Sequence, residues 1–113
     1  MSTETSDLSV EWNRRISRDA ARQMIVAWLL AYLSALLAVP RDEIDDAKAF
    51  ERYGMDSSAA VALAADLSEW LGYTVDPAIT YDYSTIGTLA DELSCIDGVR
   101  SALGRSLSAQ LDG

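Results

Sequence analysis

Tyr53-Gly54-Met55-Asp56-Ser57-Ser58-Ala59-Ala60-Val61 is the stretch around which the chain is organised. A long polar connection precedes it and an alanine-rich helical pattern follows. Gly54 permits the backbone angles that a sharp approach to a helix needs. Asp56 and Ser57 are both residue types that favour helix starts. A phosphate ester on Ser57 would lie against free backbone N–H groups and the positive end of the helix dipole. That geometry suits a serine that receives a phosphate-linked group from another enzyme. The plainer role for Ser57 is an ordinary N-cap, and an isolated Asp-Ser pair would favour it. The flanking segments decide between the two.

Working outward, the pattern after Ser57 predicts a helix to Leu71, with Gly72 as its stop. Val61, Ala64, Leu67, Ser68 and Leu71 form its inward stripe; Ala60, Leu63 and Trp70 widen it. Upstream, residues 40–55 make a loop long enough to be functional, with Ile44 and Phe50 as its plugs into the core. Before it, a helix is predicted from about Arg18 to Ala38, capped by Ser17 or Asp19 and ended by Pro40. Ile25, Trp28, Leu29, Tyr32, Leu36 and Leu37 recur at helical spacing, while Leu30 and Leu33 make the apolar stripe broad. The apolar run Met24 to Val39 is shorter than a usual membrane span and reads as a buried helix. Downstream, Asp76-Pro77 signals a turn or helix start, and a short helix is expected around Pro77 to Tyr81. A last core helix is predicted from Thr85 to Cys95, capped by Ser84 or Thr85, with Ile86, Leu89, Ala90 and Leu93 inward. Residues 1–17 and 96–113 are expected to be flexible tails flanking a domain over 18–95. Trp12 and Ile16 offer the first tail some local packing. The glycine-crossed stripe Val99, Leu103, Leu107 and Leu111 makes the second tail marginal as a helix.

The motif Gly54-Met55-Asp56-Ser57, followed by Val61 and Leu63, resembles the 4′-phosphopantetheine attachment motif of acyl carrier proteins. The loop order Pro40, Ile44, Phe50, Gly54 and the stretch Tyr81-Asp82-Tyr83-Ser84-Thr85-Ile86 resemble that family as well, so the likeness spans roughly residues 20–95. It implies an all-α fold: a four-helix acyl-carrier bundle of three longer helices and a short third one, with a long loop between the first two. It implies that Ser57 carries the arm, delivered from coenzyme A by a phosphopantetheinyl transferase. Met55, Asp56, Ser58, Ala62, Asp66 and Glu69 would form the partner-recognition side of the second helix. The implied partners are an acyl-activating ligase or acyltransferase, and a ketosynthase or other acyl-processing enzymes of polyketide, fatty-acid or related lipid biosynthesis. The form is closer to polyketide carriers than to peptidyl carriers. In two places the sequence departs from the family: Ser58 stands where leucine is usual, and Ser84 where proline is common.

Composition narrows the field further. The 113 residues suit one domain. The formal charge is −9, which disfavours nucleic acid as a partner and favours a basic protein surface. The charge is concentrated, with twelve acids and three bases in residues 41–92 and a balance elsewhere. With no histidine and one cysteine, Cys95, an internal disulfide, a cysteine-histidine zinc site and a serine-histidine-acid triad are excluded. Cys95 reads as a core residue. No catalytic or metal-binding residue is expected, and the chain reads as a non-enzyme. The polar start carries no secretory signal, so a cytoplasmic monomer away from membranes is expected. The first methionine and both polar ends point to a free-standing protein, although an excised synthase domain with its linkers has the same features. The competing reading is a non-catalytic acidic helical adaptor that binds a protein partner through the first helix. It accounts for charge and helices without using Ser57.

Overall fold

The computed structural model describes residues 16–112, with side chains through Arg105. Readings that fall on residues 1–15 lie outside the described residues. Helix α1, Arg18–Leu37, begins at Ser17, whose side chain accepts a hydrogen bond from the Ala20 amide. It ends at Ala38, which adopts a left-handed conformation (φ 58°) and donates its N–H to the Ser34 carbonyl. Two short 3₁₀ turns follow, Arg41–Glu43 and Phe50–Tyr53. Helix α2, Ser57–Leu71, starts at Asp56 and stops at Gly72, whose φ of 66° suits a residue without a Cβ. Helix α3, Ile79–Asp82, is a single turn, and α4, Ile86–Ser94, opens on a capping box between Thr85 and Thr88. Helix α5, Asp97–Asp112, follows almost at once. Among the described residues there is no strand, only one bridge between Ala49 and Thr85. The expected all-α bundle is therefore the observed one, with a further helix at its end.

The core is a stack of leucines. Ala21, Ile25, Leu29 and Leu33 of α1 are fully buried, and α1 packs most extensively on α4. From α4 come Ile86, Leu89, Ala90 and Leu93; from α2 come Leu63, Ala64, Leu67 and Leu71. Burying each large aliphatic side chain contributes about 1.5–3 kcal/mol relative to leaving it in water. Ile44 and Phe50 are buried as expected and fasten the long connection to the bundle. Ser68 pins the next one, since its hydroxyl donates to the Ala64 carbonyl (2.7 Å) and accepts from the Val75 amide (2.8 Å).

Several sequence expectations need correction. On α1 the inward stripe is 21, 25, 29, 33, so Leu33 is buried while Leu36 is 52% exposed. Apolar residues surround this helix, and periodicity alone does not choose a face. By length and composition α1 is apolar enough to cross a membrane, yet its stripe is spent on the bundle. Val61, assigned to the inward stripe of α2, is 53% exposed. At the end of α4, Ser94 is buried and Cys95 is exposed; Ser94 satisfies its hydroxyl on the Asp91 carbonyl (2.9 Å).

The largest correction concerns residues 96–113, expected as a flexible tail. Asp97–Asp112 is helical, and Val99, Ala102 and Leu103 are buried against the bundle. Glycine costs a helix about 1 kcal/mol relative to alanine, which is why Gly98 and Gly104 looked like breakers. Here they permit close packing. Gly104 is buried, and a Cβ on Gly98 would come within 2.9 Å of the Tyr73 ring. The same helix also meets the start of the described residues: the Arg100 guanidinium donates to the Ile16 carbonyl (2.8 Å), and the Ile16 side chain packs against the core.

Candidate functional site

The turn Phe50–Tyr53 delivers the chain to Gly54, where a φ of 83° reverses it toward α2. Lys48 and Tyr53 brace this approach. The Tyr53 hydroxyl donates to the Asp45 carbonyl and accepts from the Asp45 amide, both at 2.8 Å. The Lys48 ammonium lies 4.6 Å from the Tyr53 ring centre, a cation–π distance. Asp56 then caps α2 by accepting from the Ala59 amide (2.9 Å). Ser57 is therefore not the cap. It occupies the first helical position, exposed, with no hydrogen-bond partner for its hydroxyl among the described residues. The amides of Ser57 and Ser58 also lack a protein acceptor there, because an α-helix leaves its first N–H groups free. A phosphodiester on Ser57 would have these donors and the helix dipole beside it.

A groove of about 460 Å³ opens beside Ser57. Phe50, Met55 and Ala60 supply its apolar surface. Ser57, Thr80, Tyr81 and Ser84 supply hydroxyls, and Glu51 and Asp56 supply two carboxylates. Thr80 is buried and donates to the Pro77 carbonyl (2.9 Å). Tyr81, by contrast, is 70% exposed. The two walls are joined where the Phe50 amide donates to the Ser84 carbonyl (2.8 Å) and the Gly87 amide to the Asp46 carbonyl (2.9 Å). The turn without its usual proline at Ser84 is thus held by backbone hydrogen bonds.

Of the other residues singled out in the sequence, Met55 is half-buried and lines the groove. Ser58, Ala62, Asp66 and Glu69 are exposed along α2. Asp66 also meets α1. Burial and then the hydrogen bond and charge of Asp66 raise the Tyr32 phenol above its ordinary range. The Tyr83 phenol is raised chiefly by the charge of Glu92. Sequence reasoning missed Glu51, Thr80, Tyr81 and Ser84 as neighbours of Ser57. They lie outside α2, on two segments that the hydrogen bond from the Phe50 amide to the Ser84 carbonyl ties together beside Ser57. It also missed Val61 as an exposed apolar residue one turn above Ser57.

A family model described as a phosphopantetheine attachment site matches residues 27–93, more than half of the chain. The chain belongs to the phosphopantetheine attachment family. The group this family carries, 4′-phosphopantetheine, is covalently bound. An exposed, unpartnered serine at a helix N-terminus beside a groove is a fitting place for it. Among relatives of this chain, the acyl carrier protein TtuC of Teredinibacter turnerae is 44% identical over 48 residues, covering 42% of this chain and 55% of that one. A phenolphthiocerol/phthiocerol polyketide synthase polypeptide of Mycobacterium tuberculosis is 37% identical over 67 residues, 59% of this chain and 4% of the synthase polypeptide. The chain thus spans about half of TtuC and a small part of the synthase. Its fold matches the solution structure of an acyl carrier protein from Anabaena with a variant phosphopantetheinylation-site sequence, at TM-score 0.66 and 32% identity, covering 74% of this chain and 93% of that one. A free-standing peptidyl carrier protein from Acinetobacter baumannii superposes at TM-score 0.61 with 27% identity, over 66% and 92% of the two chains.

Proposed function

We propose that Ser57 is the attachment point of the arm and that the protein is an acyl carrier of a polyketide-type pathway. The observation that carries this reading is the free Ser57 hydroxyl at the first position of α2, next to Asp56 as cap. In the transfer, the Ser57 oxygen attacks the phosphorus that bears pantetheine in coenzyme A. A P–O bond forms to serine, the pyrophosphate bond breaks, adenosine 3′,5′-bisphosphate leaves, and the serine proton goes to the transferase's base. Once bound, the arm supplies a terminal thiol that holds acyl groups as thioesters. The tether raises their local concentration at each partner's active site.

In this reading the chain has no catalysis of its own and works in the cytoplasm as a monomer. Its partners are the transferase, an acyl-activating ligase or acyltransferase, and a ketosynthase or similar acyl-processing enzyme. Asp56, Asp66 and Glu69 on or before α2 would meet basic surfaces, while Met55, Ser58 and Ala62 make neutral contacts and Val61 adds an apolar one. Such binding is weak and reversible, as visits to several enzymes require. Family membership favours this carrier reading over the helical adaptor.

Incubation with coenzyme A and a promiscuous transferase, followed by intact mass, tests the assignment. One added phosphopantetheine is expected, absent in Ser57→Ala and retained in Ser58→Ala. A gain that survives Ser57→Ala would move the site elsewhere.

A further inference from the structure

We propose that Tyr53 is a positioning residue for arm transfer: its phenol hydroxyl holds the connection before α2 in the shape on which the transferase docks. The inference deepens the carrier reading and rests on Ser57 accepting the arm. The hydroxyl works as a clasp. One oxygen serves both backbone groups of one residue, donating to the Asp45 carbonyl and accepting from the Asp45 amide, each at 2.8 Å. It thereby closes residues 45–53 into a loop whose two ends are joined. Within that loop the Asp45 carboxylate accepts from the Ala47 amide (2.9 Å), the Asp45 carbonyl from the Lys48 amide (3.2 Å) and the Ala49 carbonyl from the Arg52 amide (3.0 Å). The buried Phe50 side chain and the hydrogen bond from its amide to the Ser84 carbonyl fasten the loop to the bundle.

Only Gly54 and Met55 separate the clasp from the Asp56 cap of α2. Gly54 sits at φ 83°, with no atom within 4 Å of the place a Cβ would take, so packing does not brace the chain there. The clasp one residue earlier supplies the restraint. An enzyme that docks on the first turn of α2 also meets Glu51 and Arg52, which are exposed just before it. Both are charged, and their placement relative to Ser57 decides how well a complementary surface fits. With the clasp closed they are in place before the encounter. With it open, the loop must be ordered during binding, and that cost comes out of the affinity. The chemical step is untouched, because the Tyr53 hydroxyl is engaged by Asp45 and Tyr53 does not line the groove beside Ser57.

Tyr53→Phe keeps the ring under the Lys48 ammonium and removes the hydroxyl alone. Initial rates of arm transfer are read by intact mass, with a promiscuous transferase, saturating coenzyme A and varied concentrations of the full apo chain. The KM for the chain should rise about fivefold, which corresponds to the net worth of about 1 kcal/mol for a hydrogen bond. The kcat should stay within about twofold, the signature of lost uniform binding. Amide hydrogen exchange should quicken at Asp45 and keep its natural rates at Leu63 and Leu67 of α2. Tyr73→Phe, which removes a hydroxyl beyond the far end of α2, should change neither KM nor exchange. An unchanged KM in Tyr53→Phe, a loss of kcat at constant KM, or an equal effect of Tyr73→Phe overturns the proposal and leaves the Ser57 assignment standing. Faster exchange throughout α2 would mark a merely structural role and overturns it as well. If the natural chain gains no arm, the Ser57 assignment falls, and this proposal with it.

Discussion

Replacing Asp56 separates two roles that one side chain performs. Its carboxylate accepts from the Ala59 amide at 2.9 Å and places a negative charge at the start of α2. Asp56→Ala removes both. Loss of an N-cap costs about 1 kcal/mol, within a range of roughly 0.5–2, and loss of the helix-dipole interaction about 0.3–1 kcal/mol. Their sum, about 1.5–2 kcal/mol, corresponds to a drop in Tm of roughly 6–12 °C in a domain of this size. Asp56→Asn retains a capping oxygen of equal rank and loses the charge alone, so about 0.5 kcal/mol and roughly 2–4 °C are expected. Thermal unfolding of the two variants, followed by far-UV circular dichroism in low salt, reads the difference. The same samples, timed for arm transfer by intact mass, show whether the transferase needs the charge or the cap. If transfer slows equally in both variants, it is the charge that the enzyme reads. A pair of variants with the same Tm would refute the assignment of Asp56 as the hydrogen-bonding cap.

Three further outcomes are expected. Ala38→Gly should raise Tm, because Ala38 is held at φ 58° and a left-handed alanine costs about 1 kcal/mol that glycine does not; a lower Tm would show the strain is absent. Leu103→Ala should cost about 2–5 kcal/mol in urea unfolding, since Leu103 is fully buried, whereas a loss within about 0.5 kcal/mol would restore the view of α5 as a loose appendage. The raised Tyr32 phenol favours the neutral form in the folded state. Its stabilising contribution is complete below the unfolded value of about pH 10 and is lost as pH climbs through the higher folded value. Urea midpoints across that alkaline window should therefore fall more steeply for the natural protein than for Tyr32→Phe.

Local signals told most about the site, and shape told the rest. Gly54, Asp56 and Gly72 each bring a backbone or capping preference that acts within a few residues, so both ends of α2 could be read directly. The inward set of α4 was equally plain, because Ile86, Leu89, Ala90 and Leu93 fall on one helical stripe with Thr88, Asp91 and Glu92 off it. The face of α1 was not, because apolar residues on every side leave the choice between Leu33 and Leu36 to the neighbouring helices. Val61 was misplaced for the same reason among alanines. Helix α5 escaped notice because Gly98 and Gly104 lower local propensity, and their compensation is tertiary: the ring of Tyr73 sits where a Cβ on Gly98 would stand. The groove could not be inferred at all. Its far wall comes from Thr80, Tyr81 and Ser84, whose approach to Ser57 depends on how two short turns meet.

Between α1 and α2 three rings form a continuous stack: Tyr32 on Trp28 with centres 5.1 Å apart, and Trp28 on Trp70 at 5.3 Å. The two indoles belong to different helices, one of which carries Ser57. Their strong far-ultraviolet transitions should couple at this separation, giving a paired dichroic contribution of opposite signs. Any tilt of the serine-bearing helix during an encounter with another enzyme would change that contribution. The protein therefore contains its own optical gauge of interhelical spacing, readable without attaching a dye.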